Sequence, residues 1–244
     1  MNRKIIYLFL ISLFHIYAPC IYAQDKINIS NSYSSTNPLH QTENRNDSYD
    51  EEEDHYLKPA ALIVPGTFLI YSGLKPFVDD IGKLDNRIMA NMQKNYPDFH
   101  TNAADYLMWV PSASVYAMDA LKVKTKHTFT QHLILDAGSI LITGGIGYGM
   151  RIISKHIDAY SENGTQFPSG HAANAFRGAE ILHQELKDQS PVFSYSGYVV
   201  ATGVGLLRIY NKNHLLTEVL AGAGLGILST KLTYWVFHKT KLDQ

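Results

Sequence analysis

Phe167-Pro168-Ser169-Gly170-His171 and, further along, Arg208, His214 and Glu218 are the residues whose types and spacing suit chemistry. Ser169 and Gly170 lead directly into an apolar segment of helical length, so they fall at a helix start. There the first backbone N–H groups lack intrahelical acceptors, and the helix dipole favours an anion. Gly170 lets an oxygen approach the backbone closely. Arg208 interrupts the apolar run from Val199 to Leu207, and its planar fork matches two phosphate oxygens. His214 and Glu218 are four residues apart, so on a helix the carboxylate holds one ring nitrogen and leaves the other directed at a substrate. A Ser-Gly-His turn, an arginine and a second histidine on separate segments are what a metal-free phosphate-handling site needs: an anchor, an acid and a nucleophile. Taken singly, each has a plainer reading: Ser169 as an ordinary helix cap, Arg208 as a snorkelling helix end, His214 and Glu218 as a surface pair.

The elements that must position these residues are helices. Ala60 to Leu74, Ala103 to Leu121, Gln131 to Ile153, Ala172 to Leu186, Ser194 to Tyr210 and Leu215 to Phe237 are apolar over lengths too great for ordinary strands. The fold class expected is all-α, a six-helix membrane-associated bundle. Pro76, Pro97, Pro168 and Pro191 fall in or beside the connections, whereas Pro65 and Pro111 require the first two helices to start late or kink. Gly145 with Gly149, and Gly222 with Gly226, have the four-residue spacing that lets membrane helices approach closely. Ala172 to Leu186 carries Arg177, Glu180 and Glu185, too polar to face lipid all round, and belongs inside the bundle or at its wet edge. If it forms an antiparallel hairpin with Ser194 to Tyr210 about Pro191, then His171, Arg208 and His214 share one rim of the bundle. The preceding helix must end at that rim, and its last basic residue is Arg151.

The rest of the chain bounds the setting. Asn2, Arg3 and Lys4, the apolar run from Ile5 to Ile16 and the small residues near Ala18 and Ala23 have the layout of a signal peptide, placed at 1–23 and directing export, with an uncleaved anchor as the alternative. The single cysteine, Cys20, lies in that segment, so the mature domain has no disulfide. Pro19 before Cys20 speaks against a lipoprotein site. Residues 24–57 are polar, include the acidic run Asp50 to Asp54, and read as a disordered linker. A single helical domain is assigned to 58–241. With 21 basic and 22 acidic residues the formal net charge is −1, so no basic excess points to nucleic acid. Three Asn-x-Ser/Thr matches, at Asn28, Asn46 and Asn163, are no more than chance supplies in an Asn-rich chain.

Phe-Pro-Ser-Gly-His at 167–171 and Arg-x5-His-x3-acid at 208–218 resemble the second and third signature blocks of the type 2 phosphatidic acid phosphatase superfamily, a resemblance covering roughly residues 60–238. It implies that His214 attacks phosphorus to form a phosphohistidine, with Glu218 completing the catalytic set. His171 protonates the leaving oxygen, and Arg208, Ser169, Gly170 and Arg151 hold the phosphoryl group. By that resemblance no cofactor or metal is required. The substrate that the resemblance allows is a lipid phosphate: phosphatidic acid, phosphatidylglycerol phosphate, polyprenyl pyrophosphate or a phosphate of lipid A. The export signal favours a bacterial cell envelope, at the inner membrane with the site facing the periplasm.

Two departures qualify the resemblance. The first block, Lys-x6-Arg-Pro in the family, selects Arg151 and then Asp158-Ala159 here, and Glu218 replaces the usual Asp of the third. A carboxylate at about 4 Å from the phosphate, at an effective dielectric near ~20, opposes binding by roughly 4 kcal/mol. Lys155 or His156 is the expected source of the missing positive charge in an active phosphatase. The other outcome is a weakened or inactive relative that binds a phosphate ligand or a partner. A vanadate-dependent haloperoxidase sharing the fold is disfavoured, because its site needs more anion-binding cations rather than fewer.

Overall fold

The computed structural model describes residues 56–161 and 165–240, where every regular element is a helix. In chain order these are α1 (Pro59–Gly73), α2 (Asp79–Asn95), α3 (Ala103–Leu107), α4 (Val110–Ala120), α5 (Phe129–Ser154), α6 (Asp158–Ser161), α7 (Gly170–Leu186), α8 (Pro191–Ser194), α9 (Ser196–Tyr210) and α10 (Leu216–Lys239). The expected signal segment, nearly all of the linker, Cys20 and Asn163 lie outside the described residues. Tyr56, assigned to the linker by composition, is buried; it bonds His238 at 2.7 Å and stacks on its ring.

The all-α expectation holds, with ten helices in place of six among the described residues. The segment Ala103 to Leu121 is two helices, because Pro111 lacks the N–H that would continue the ladder, and α4 restarts with that proline in its first turn. Pro65 lies within α1, whose helix runs through it. The segment Ser194 to Tyr210 is continued N-terminally by the single turn α8, which begins on Pro191. Two helices escape an apolar-run criterion: α6 is one turn, and α2 is mostly polar. The inward stripe of α2, Ile81, Asp85, Ile88 and Met92, has the periodicity of one helical face.

Three segments are long and apolar enough to cross a membrane: Phe129–Ser154, Pro191–Tyr210 and Leu216–Lys239. They differ in what they face. The most apolar window of α5 is 17% buried and that of α10 is 72% buried, so α5 presents its apolar surface outward while α10 runs through the interior.

At the centre α10 lies against α7, and glycine permits the approach. A Cβ on Gly222 would stand 2.4 Å from the Ser169 carbonyl oxygen, and one on Gly226 would stand 2.2 Å from that of Ala173. The other glycine pair behaves differently: a Cβ on Gly145 or Gly149 meets nothing within 4 Å, so their spacing does not mark a close helix contact. The polar residues of α7 are inside the bundle, with Arg177, Glu180 and Glu185 each 1% exposed. A buried charge costs several kcal/mol unless paired, and each is paired from another helix. Arg177 meets Asp136 of α5, Glu180 meets Lys231 of α10 at 2.7 Å, and Glu185 accepts from Tyr234 at 2.6 Å and contacts His127 and His132 at 2.8 and 2.9 Å. These pairs fix the rotation of α7, whose first residues enter the site.

Candidate active site

A cavity of about 620 Å³ opens where α5 and α9 end, α7 begins and the chain enters α10. Arg151, Gly170, His171, Arg208 and His214 all line it, which is the convergence the hairpin topology requires. Its remaining wall is largely apolar, with Met108, Trp109, Ile140, Tyr148 and Leu225.

His214 lies in the turn between α9 and α10. Its Nδ1 is 2.8 Å from Glu218 Oε2, and the pair is buried. The same carboxylate oxygen accepts from the Leu215 backbone N–H at 3.2 Å, and Oε1 accepts from the Thr165 hydroxyl. Glu218 is the third residue of α10, so its longer side chain curls back over the helix start as a capping carboxylate. The extra methylene relative to aspartate is thus used in the cap, and contact with His214 is retained. Beneath it Asp85 of α2 accepts from Thr217 N at 3.1 Å and Thr217 Oγ1 at 2.6 Å, with Lys75 at 3.1 Å. The start of α10 is therefore anchored from two sides.

His171 is the second residue of α7. Its Nε2 is 2.8 Å from Oδ1 of Asp105, a residue of α3, and the same oxygen is 3.7 Å from Arg208 Nη1. Burial and the Arg208 charge push the His171 imidazole below its ordinary value; the Asp105 hydrogen bond and charge act against them, and His214 adds to the lowering. Asn213, with its amide nitrogen donating to Asn211 O, accepts from Arg208 Nη1 and Nη2 at 3.2 and 2.9 Å. The Nε groups of Arg151 and Arg208 are buried with no hydrogen-bond partner, and both arginines line the cavity.

Ser169 stands apart from the other expected phosphate ligands. It is fully buried and does not line the cavity: its Oγ accepts from Ala172 N at 3.5 Å, and its N–H donates to Glu218 O at 2.9 Å. Its place is that of a cap and a tie between α7 and α10. At Gly170 an added Cβ meets nothing within 4 Å, so the backbone there borders open space. Asp158 is exposed and outside the cavity lining, as are Lys155 and His156. Lys155 and His156, the expected source of the missing positive charge, therefore do not border the cavity. Arg177 and Asn174, unassigned by sequence, also line the cavity. Arg177 is committed to Asp136, Ser139, Ser112 and Asn174.

The described residues form an all-helical bundle of membrane type that gathers two histidines and, with Arg151 and Arg208, two arginines around one cavity. The profile of the PAP2 superfamily matches residues 119–242, just over half of the chain, and the chain belongs to that superfamily. A lipid A 1-phosphatase of Porphyromonas gingivalis is 32% identical over 139 residues, which cover 57% of this chain and 31% of that protein. No solved structure matches the chain.

Proposed function

We propose that the protein is a membrane-associated phosphatase that removes phosphate from a lipid phosphate or pyrophosphate through a phosphohistidine at His214. The observation that carries this reading is that one cavity is lined both by polar groups suited to a phosphate, Arg151, Arg208, His171 and His214, and by apolar ones, Trp109, Ile140, Tyr148 and Leu225. A phosphate monoester on an apolar body fits such a lining. The similarity to a lipid A 1-phosphatase supports a lipid phosphate as the substrate class.

The chemistry follows from the two ring environments. Glu218 holds His214 Nδ1 and leaves Nε2 as the nucleophile. Nε2 attacks phosphorus while the bond to the lipid oxygen breaks, and His171 gives that oxygen its proton. Arg151, Arg208 and the backbone at Gly170 stabilise the charge on the non-bridging oxygens. Water then attacks the phosphohistidine, the P–N bond breaks, and neutral His171 takes the proton that the water loses. Because His171 must start protonated, kcat/KM falls as pH rises through its lowered pKa. Asp158 lies off the cavity, so the reading as an inactive phosphate binder loses the observation that suggested it.

Phosphate release from lipid phosphates by the detergent-purified protein, measured beside His214→Ala, tests this reading. Release by the wild type and its loss in the variant are expected; no release, or equal release by both, overturns it. We place the site on the periplasmic side of a bacterial inner membrane. A cysteine introduced beside His171 should then react with an impermeant thiol reagent in intact spheroplasts, and protection of it there contradicts that side.

A further inference from the structure

We propose that Asp105 is the positioning residue for His171, so that the proton donor, like the nucleophile, works as one half of a histidine–carboxylate pair. This rests on the phosphatase reading above. Asp105 lies outside the residues matched by the superfamily profile and 66 positions before His171, and neither of the two motifs includes it.

The geometry assigns the ring nitrogens. Nε2 of His171 is committed to Asp105 Oδ1 at 2.8 Å, which leaves Nδ1 as the nitrogen that hands a proton to the leaving oxygen. The carboxylate fixes the ring's orientation through a charge-assisted hydrogen bond. It also supplies negative charge against what disfavours a protonated ring: burial, Arg208 on α9 and His214 before α10. In the transfer step the Nδ1–H bond breaks as the alcohol O–H forms. The ring is left neutral with its Nε2–H still on Asp105, and the hydrolytic water returns the Nδ1 proton. The carboxylate gains and loses nothing.

Asp105 also contacts Arg208, at 3.7 Å. Its charge therefore opposes phosphate binding while supporting proton transfer. A carboxylate that acts through His171 raises kcat for poor leaving groups without tightening binding, a combination that a purely structural residue does not produce.

The experiment compares two monoesters with the full chain in detergent: a long-chain alkyl phosphate, whose alkoxide must be protonated to leave, and 4-nitrophenyl phosphate, whose phenolate leaves without help. Asp105→Asn should lower kcat on the alkyl ester by about 10²-fold, the lower range for a positioned general acid. It should leave kcat/KM for 4-nitrophenyl phosphate, which reports formation of the phosphohistidine and not its hydrolysis, within about 3-fold, the leaving group no longer needing the acid. KM should stay the same or fall, and the alkaline limb of kcat/KM should move to lower pH. Asp105→Glu, which keeps the charge, should recover part of the alkyl-ester rate. Equal losses on both esters with an unmoved pH limb, or no loss on either, overturn the role of Asp105 while the phosphatase reading stands. A wild type that cleaves neither ester removes both.

Discussion

The two histidines of the cavity sit in contrasting surroundings. His214 and Glu218 are 9% and 0% exposed, share one helix start, and are held by a capping bond, the Thr165 hydroxyl and the Asp85 anchor below. His171 and Asp105 are 27% and 49% exposed, come from separate helices, and among the described residues the carboxylate's further ion pair is with Arg208. The difference suits the two tasks proposed for them. A nucleophile must present one nitrogen in line with phosphorus, so its orientation is fixed by a buried network before substrate arrives. A proton donor must exchange with water each turnover, and a half-exposed carboxylate leaves that route open.

The contrast yields a ranking of effects. Glu218→Gln removes the charge that fixes His214 and frees the tautomer, and we expect kcat to fall roughly 10⁴-fold, comparable to the loss of a triad carboxylate. The check is steady-state phosphate release on 4-nitrophenyl phosphate, where the proton donor is not needed. A loss under about 10-fold would mean that burial, rather than charge, orients His214. Asp105→Asn comes next, with its loss confined to the alkyl ester.

Gly222→Ala tests whether the buried pair depends on the contact between α7 and α10. Its Cβ would overlap the Ser169 carbonyl, and Ser169 in turn bonds Glu218 through its N–H. Forcing the helices apart should cost about 1–3 kcal/mol of stability. It should lower turnover on both esters alike, read by thermal unfolding and by rate. Gly145→Ala, with open space around it, is the control and should be neutral or slightly stabilising. The smallest effect belongs to Asp158→Arg: exposed and off the cavity, it should leave kcat/KM within about 2-fold, as surface substitutions away from a site usually do. A large gain would place Asp158 at the phosphate after all.

The same contrast explains what could be read from sequence. His214 and Glu218 are visible because a helix converts a spacing of four into contact, and Ser169-Gly170-His171 because a turn feeding a helix start has a local signature. The hairpin rule brought Arg151 and Arg208 to the same rim. Asp105 was invisible: its partner is 66 residues away, on a five-residue helix whose placement depends on the packing of the whole bundle. Thr165 and Asp85 were hidden for the same reason. Asp158 misled in the opposite direction, since position in a motif stands for position in space only if the intervening loop keeps its path. Here α6 takes Asp158 to the surface. Glycine spacing showed the same limit, with Gly222 and Gly226 meeting a helix while Gly145 and Gly149 meet none.

The most direct measurement is to trap the covalent species. Wild-type protein mixed with a ³²P-labelled phosphate monoester and quenched in alkali, in which phosphohistidine survives, should carry label on the peptide containing His214. His214→Asn should carry none, and Asp105→Asn should still become labelled from 4-nitrophenyl phosphate. A wild type that releases phosphate yet never carries label, or label that persists in His214→Asn, would contradict phosphoryl transfer through His214.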